Sequence, residues 1–308
     1  MTEVAVLCGG VGAARFLRGL QQVVEPADIA AIVNTGDDTV MHGLSISPDL
    51  DTITYTLAGA IDGERGWGLA GETWQAMAAL SRYTAATWFN LGDKDLATHL
   101  YRTARLAEGA TLTTITSEIA SAWDLAIRLL PMTDDRLATM IELETGEEVS
   151  FQDYFVRLGH AVPVRAVRFD GTAGPTSQVL DALGAAATIV VAPSNPIVSI
   201  GPLRWLPGID ELLARRRERV VAVSPIVGGA ALKGPADHML AELGHEPSVV
   251  GVARLYASIA AALVIDPVDA ERAADVEAAG MRAVITPSVM TTPELAAALA
   301  RATLEAIA

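Results

Sequence analysis

Four aspartates crowd one short stretch of this chain: Asp37 and Asp38 in "NTGDD", then Asp49 and Asp51 in "PDLDT". Carboxylates at Asp-x-Asp spacing can share a divalent cation, and Mg²⁺ prefers such oxygens, together with phosphate oxygens, while keeping several waters. Surface loops also carry acids routinely. Pro48 marks the first turn of a helix over "DLDTITYTLAG", whose N-terminus Asp49 or Asp51 could simply cap. Asn34 opens the same loop. A second chemistry-bearing stretch is "LCGGVGAARF", where an apolar run meets Gly9, Gly10 and Gly12 and a helical segment carries Arg15 and Arg18. Strand, glycine turn and helix start together offer backbone N–H groups and the positive dipole end to an anion. The glycine spacing fits neither GxGxxG nor GxxxxGK[ST], which argues against nicotinamide and ATP-hydrolase sites. Gly10→Val is therefore expected to block a phosphate and leave the fold intact.

Two further loops carry candidates. In "APSNPIVSIGPL", Ser194 and Asn195 offer short polar side chains, and the Asn195 amide can both donate and accept, although turns use Asn for local reasons too. In "SPIVGGAALKGPADHML", Gly228 and Gly229 permit close approach of backbone to ligand, and Lys233 can meet a phosphate as a point charge. His238, on the helix that follows, reads as structural. Aromatic residues make up only 5% of the chain, yet Trp67, Trp74, Trp88 and Phe89 lie close together in sequence. They form either core or a flat wall for a planar ring. Asp95 reads as the cap of "LATHLYRTARL", the helix that carries His99.

These loops need strands to hold them. EVAVLC, IAAIVN, PVRAVRF, ATIVVAP, RVVAVSP, ALVID and RAVITP are short β-branched runs, and "GPTSQVLDALG", "GIDELLARRRE" and "DAERAADVEAAG" are amphipathic segments between them. Near-continuous apolar strands separated by helices predict a doubly wound, mostly parallel α/β sheet of Rossmann-like form, covered on both faces. Such sheets bind ligands beyond the C-terminal strand ends, where the candidate loops lie. Residues 1–308 read as a single α/β domain, with 73–130 as a helical insertion that lacks strand signals. Arg215, Arg216 and Arg217 sit at a helix C-terminus, where they complement the dipole.

The chain is 308 residues long, 51% apolar and 19% charged, with a formal charge of −15. That charge argues against nucleic acid or an anionic membrane as partner, while a local glycine turn and a few basic residues still admit a phosphorylated ligand. A single cysteine, Cys8, gives no disulfide framework and fits a reducing cytoplasm. "SVVGVARLYASIAAALVID" reads as a buried helix running into a strand, broken by Arg254 and Tyr256, and not as a membrane span.

Taken in order, "CGGVGAARFLRGL", "NTGDD", "PDLDT", "RGWG", "WFNLGDKDLATHL", "LLPMTDDR", "APSNPIVSIGPL" and "VSPIVGGAALKGPAD" resemble the 2-phospho-L-lactate transferase family, whose actinobacterial members act as phosphoenolpyruvate transferases. The match runs from Val4 to about Leu240. The resemblance implies a Mg²⁺-dependent step in making the deazaflavin coenzyme F420. A guanosine-diphosphate-activated three-carbon acid (phosphoenolpyruvate, phospholactate or phosphoglycerate) would pass its phosphoryl-linked acid to the terminal ribityl hydroxyl of Fo, 7,8-didemethyl-8-hydroxy-5-deazariboflavin, and release GMP. An Ala- and Arg-rich composition favours phosphoenolpyruvate. On this resemblance Gly9, Gly10, Gly12, Asn34, Ser194, Asn195, Gly228, Gly229 and Lys233 would hold the donor. Asp49 and Asp51 would be catalytic, with Asp37 and Asp38 beside them as further metal ligands. Trp88, Asn90 and Lys94, with Asp51, would meet Fo. The resemblance implies a basic residue at or near Asn90, which bears on the acceptor contacts, and often arginine at Lys94, where lysine keeps the charge without the bidentate fork. Asp→Asn at 49 or 51 is expected to abolish turnover with little change in stability. A homodimer or larger assembly is expected from the apolar composition and from the family's tendency to self-associate. The alternative is a non-enzymatic nucleotide-sugar-binding regulator of related fold, from which "PDLDT" and "WFNLGDKDLATHL" separate this chain.

Overall fold

Strand β1 (Val4–Cys8) is buried throughout, with Val4, Val6 and Cys8 packed on one face and Ala5 and Leu7 on the other. A strand without a polar side must be covered on both faces, the usual condition of a parallel sheet between helix layers. In the computed structural model, which describes residues 3–84 and 87–307, β1 lies inside such a sheet. Ala85 and Ala86, part of the expected 73–130 insertion, lie outside the described residues.

After β1 come α1 (Gly10–Leu20), β2 (Ile29–Val33), the hairpin of β3 (Thr39–Met41) and β4 (Leu44–Ile46), and α2 (Pro48–Leu57). The stretch without strand signals holds α3 (Gln75–Leu80), α4 (Asp95–Ala107) and α5 (Leu112–Ala122). Next are β5 (Arg128–Pro131), β6 (Ala138–Leu143), β7 (Glu148–Ser150) and β8 (Val164–Asp170). The second half alternates through α6 (Ser177–Ala185), β9 (Thr188–Val191), α7 (Gly201–Trp205), α8 (Ile209–Arg215) and β10 (Val220–Val223). It continues with β11 (Ile226–Val227), β12 (Ala230–Ala231), α9 (Ala236–Glu242), α10 (Val249–Tyr256), β13 (Ala262–Ile265), α11 (Ala273–Ala278), β14 (Arg282–Ile285) and α12 (Pro293–Glu305).

Seven parallel strands form the central sheet in the order β14-β13-β10-β9-β1-β2-β5. Helices α1, α2, α5 and α12 cover one face, and α6, α8, α9 and α10 cover the other. The doubly wound α/β expectation holds. Two strands depart from it. Residues Arg128–Pro131 form β5, the edge of the sheet beside β2, so the stretch expected to be helical ends in a strand. PVRAVRF forms β8, which joins no parallel sheet: it pairs antiparallel with β6 in a separate three-stranded sheet with β7. Arg216 donates to the Leu183, Gly184 and Ala186 carbonyls at the end of α6, and Arg217 to those of Ala257 and Gly280. The basic run thus caps its neighbours' C-termini as well as its own.

The strand order reverses at β1: β2 and β5 lie on one side of it and β9, β10, β13 and β14 on the other. In open α/β sheets ligands enter the crevice at this switch point. The loops after β1, β2, β9 and β10 meet there. Among the described residues no helix is long and apolar enough to cross a membrane.

Candidate active site

Helix α1 starts at Gly10, whose φ of +73° lies in the left-handed region open to glycine. A valine there would strain the backbone, so Gly10→Val cannot leave the fold untouched. Gly9 is needed for space: a Cβ would sit 2.6 Å from Asp49 Oδ2. At Gly12 it would lie 2.3 Å from the Pro193 carbonyl oxygen, which packs α1 tightly on the loop after β9. The two amides expected to cradle phosphate are already engaged. Gly10 N–H donates to Asp49 Oδ1 at 2.8 Å, and Gly9 N–H reaches Ser194 Oγ at 3.3 Å. The Ser194 hydroxyl donates back to the Gly9 carbonyl at 2.9 Å. The anion at this helix N-terminus is the protein's own Asp49.

Pro48 occupies the first turn of α2, as expected, and presents Asp49 and Asp51 from that turn. Asn34, at the end of β2, donates from Nδ2 to Asp49 Oδ2 at 3.0 Å and accepts from Gly36 N–H through its own Oδ1 at 2.9 Å. Burial pushes the Asp49 carboxyl up to about 6, against the pull of the Asn34 and Gly10 hydrogen bonds. Asp37 is pushed well above the usual carboxylate range by burial and then by the charges of Asp49 and Asp38. Asp38 is raised as well, chiefly by burial, although Ser47 Oγ donates to its Oδ2 at 2.6 Å. Oδ1 of Asp37 and Oδ1 of Asp38 are buried without a hydrogen-bond partner. Asp37 and Asp38, raised by burial and by neighbouring carboxylates and each with an orphaned oxygen, would be relieved by a hard divalent cation near Asp49, although among the described residues the ligand atoms that already converge within 4.8 Å are those of Asp51, Asp95 and His99. Their oxygens suit Mg²⁺ in kind and would have to draw together to hold it.

Asp51 has a different set of neighbours. Arg102, on α4 and only 2% exposed, grips it with both terminal nitrogens, Nη1 to Oδ2 at 3.1 Å and Nη2 to Oδ1. Nη1 also reaches the Ser45 carbonyl at 3.3 Å. His99 lies between two acids, its Nδ1 3.6 Å from Asp51 Oδ2 and its Nε2 3.4 Å from Asp95 Oδ2. Asp95 accepts from the Tyr55 hydroxyl at 2.6 Å, so it faces inward and does not cap α4, where no side-chain cap forms. Ligand atoms of Asp51, Asp95 and His99 fall within 4.8 Å of one another. Because the guanidinium already holds both Asp51 oxygens, this trio is an ion-pair network that fastens α4 to α2.

A cavity of about 840 Å³ fills the crevice. It gathers Gly9, Gly10, Gly12, Asp37, Asp49 and Asp51 on its floor, with Ser194, Asn195 and Lys233 on the β9–β10 side and Trp88, Phe89 and Asn90 on the insertion side. The rings of Trp88 and Phe89 meet edge-on at 6.0 Å and 85°. Asn195 Oδ1 accepts from Ile197 and Val198 N–H at 2.9 and 3.3 Å, which fixes the turn. Asn34 stands behind Asp49. Gly228 and Gly229 stand off the cavity: both have positive φ and make the tight turn joining β11 to β12, with Gly228 N–H bonded to Asp269. Lys94 is also outside the lining, its ammonium donating to the Ala70 carbonyl at 2.8 Å.

The sequence reading missed Arg102, Tyr55 and a wall of Phe151, Gln152, Phe155 and Val156 that also lines the cavity or its supports. Asp95, His99 and Arg102 recur at i, i+4 and i+7 of one helix, a polar stripe that marks a buried face once it is noticed. The Phe151–Val156 wall lies between β7 and β8 of the small antiparallel sheet and carries no local signature.

Fold and cavity together define a doubly wound α/β protein with an acid-floored ligand site at its switch point. The family model described as 2-phospho-L-lactate transferase CofD matches residues 4–292, and the chain belongs to that family of transferases. It is 45% identical over 310 residues to a phosphoenolpyruvate transferase of Streptomyces griseus, covering 98% of both chains. To the phosphoenolpyruvate transferase of Streptomyces coelicolor it is 44% identical over 306 residues, covering 97% of this chain and 96% of the relative. The crystal structure of protein BH3568 from Bacillus halodurans shares the fold, with a TM-score of 0.64 at 19% identity over 98% of this chain and 99% of that one.

Proposed function

We propose that this protein transfers a phospho-linked three-carbon acid, phosphoenolpyruvate, from its guanosine-diphosphate-activated form to the terminal ribityl hydroxyl of Fo, giving dehydro coenzyme F420-0 and GMP. The observation that carries the reading is the cluster of Asp37, Asp38 and Asp49 beside a cavity large enough for a nucleotide and a second ring system. The phosphoenolpyruvate transferases among its relatives support the choice of acid. The acceptor oxygen forms the new bond to phosphorus, the bond to the GMP oxygen breaks with its electron pair staying on the departing GMP, and the hydroxyl proton passes to the Asp51 carboxylate and on to solvent. Asp37, Asp38 and Asp49 would hold Mg²⁺, which when bound offsets charge on the donor's phosphates. Asp51, fixed by Arg102 at the cavity wall, orients the acceptor hydroxyl by accepting its hydrogen bond. Trp88 and Phe89 flank the deazaflavin ring, with Asn90 at its edge. Ser194, Asn195 and Lys233 face the nucleotide half. Mass spectrometry of the product formed from Fo with the three activated acids in competition tests this; absence of any F420-0 species overturns it. The same reading includes a cytoplasmic homodimer, which a monomeric mass by light scattering would contradict.

The acid cluster gives a second check. Asp49 is held near 6 in the fold against an ordinary 3.8. Its contribution to stability is therefore fully present below about pH 3.8 and is lost as pH rises through about 6. Added Mg²⁺ compensates only the ionised form. The melting temperature is expected to rise clearly with millimolar Mg²⁺ at pH 7.5 and little at pH 5, measured by thermal shift. An equal rise at both would take the cation elsewhere.

A further inference from the structure

Helix α1 meets the acid Asp49 at its N-terminus and carries one of the cavity's cations, Arg15. Helix α2 brings Asp49 against one side of the α1 N-terminus, and α12 packs on the other. Gly12, Arg15 and Gly19 form one stripe of α1 at i, i+3 and i+7. A Cβ at Gly12 would strike the Pro193 carbonyl, and one at Gly19 would lie 2.3 Å from the Ala296 carbonyl carbon. Arg15 therefore lies on the face of α1 that meets the loop after β9 and α12, and it lines the cavity, as do Ser194, Ser224, Ser288 and Thr291. Arg15 makes no hydrogen bond or ion pair with any described residue, in a chain of net charge −15. Arg65, another cation of the lining, is committed: it pairs with Asp62 at 3.0 Å, donates to the Leu69 carbonyl and lies over the Trp67 and Trp74 rings.

We propose that Arg15 takes the phosphate of the nucleotide half of the donor, at a subsite beside the opening glycine turn instead of on it. The turn itself is a poor phosphate cradle, because Asp49 already sits on the Gly10 amide and repels a second anion. A guanidinium a turn further along α1 is unopposed and offers a planar fork that fits two phosphate oxygens. The arrangement separates two tasks. Acids on the α2 side hold a cation near the phosphoryl group that moves, and Arg15 on the α12 side holds the phosphate that leaves. This inference rests on the transferase reading only in taking the ligand to be a nucleoside diphosphate ester.

Isothermal titration of wild type, Arg15→Gln and Arg15→Lys with GDP, GMP and guanosine tests it, with Arg18→Gln as a charge-matched control outside the cavity. Arg15→Gln is expected to weaken GDP and GMP at least about tenfold and to leave guanosine unchanged, with Arg15→Lys between. Arg15 has no internal partner to lose, so melting behaviour should stay normal. GDP affinity within twofold of wild type in a normally melting Arg15→Gln protein overturns the proposal, as does an equal loss in Arg18→Gln. If wild type ignores GDP but binds ADP or UDP with the same dependence on Arg15, the subsite stands and the guanosine reading falls. If wild type binds no nucleoside diphosphate at millimolar concentration, the subsite falls too.

Discussion

Exchange of Arg102 for Met is expected to destabilise the protein by about 3–5 kcal/mol, a fall of roughly 10 °C in Tm. The reason lies in what the substitution leaves behind. Asp51 is buried and has both oxygens on the guanidinium, with His99, Tyr55 and Asp38 as further ionisable neighbours. Removing the cation leaves a carboxylate in a low-dielectric site without compensation, which costs more than the pair itself contributed. The double variant Arg102→Met/Asp51→Asn removes both charges and should recover part of the loss, so a double-mutant cycle reports a coupling of about 1–3 kcal/mol. A loss under about 1 kcal/mol in the single variant would mean that water reaches Asp51. The same geometry revises what the sequence suggested for Asp51→Asn. That change strips a buried arginine of its bidentate partner, so stability falls along with any activity, and the variant cannot separate a catalytic from a structural role.

The contrast between Asp49 and Asp51 shows where the sequence stops being informative. Both sit two residues apart in one motif, and from the motif alone they form a pair. The partner that separates them, Arg102, arrives from a helix about fifty positions later. Its message in sequence is only a polar stripe of Asp95, His99 and Arg102. The sheet was more legible. β1, β2, β9, β10 and β13 are short runs with all or nearly all residues buried, and only strands covered on both faces need such composition. β8 was read as one of them, yet Arg165 and Arg168 break its apolar run. Its mixed exposure is that of an antiparallel strand with one wet face, which is how it pairs. β5 went unseen because four residues that begin with an exposed arginine and end in proline carry almost no strand signal. The glycines of the opening turn are legible in sequence as a constraint, and they line the cavity, but the neighbours that require them are not legible there. Gly9 and Gly12 make room for Asp49 and Pro193, and Gly10 supplies the backbone turn.

Asp49→Asn is expected to lower turnover by about 10²–10⁴ while leaving stability near that of wild type. The two halves of the expectation have separate causes. For stability, the Asn oxygen can still accept from Gly10 N–H, but its amide nitrogen then faces the Asn34 amide nitrogen. Asn34 cannot rotate freely to relieve this, since its own oxygen holds Gly36 N–H. That mismatch costs about 1–3 kcal/mol. Opposing it, the variant no longer buries a carboxylate that is ionised above about pH 6 at the folded state's expense. At neutral pH the two effects offset each other. For turnover, the loss is not offset: Asp49 ties the β1 turn and the end of β2 together, so on the proposed reading its charge would position both the cation and the start of α1. The Mg²⁺-dependent rise in Tm at pH 7.5 should shrink in the same variant, which marks the defect as one of cation binding and not of folding. Near-normal turnover with an intact Mg²⁺ response would leave Asp37 and Asp38 as the whole of the metal site and reduce Asp49 to a helix cap.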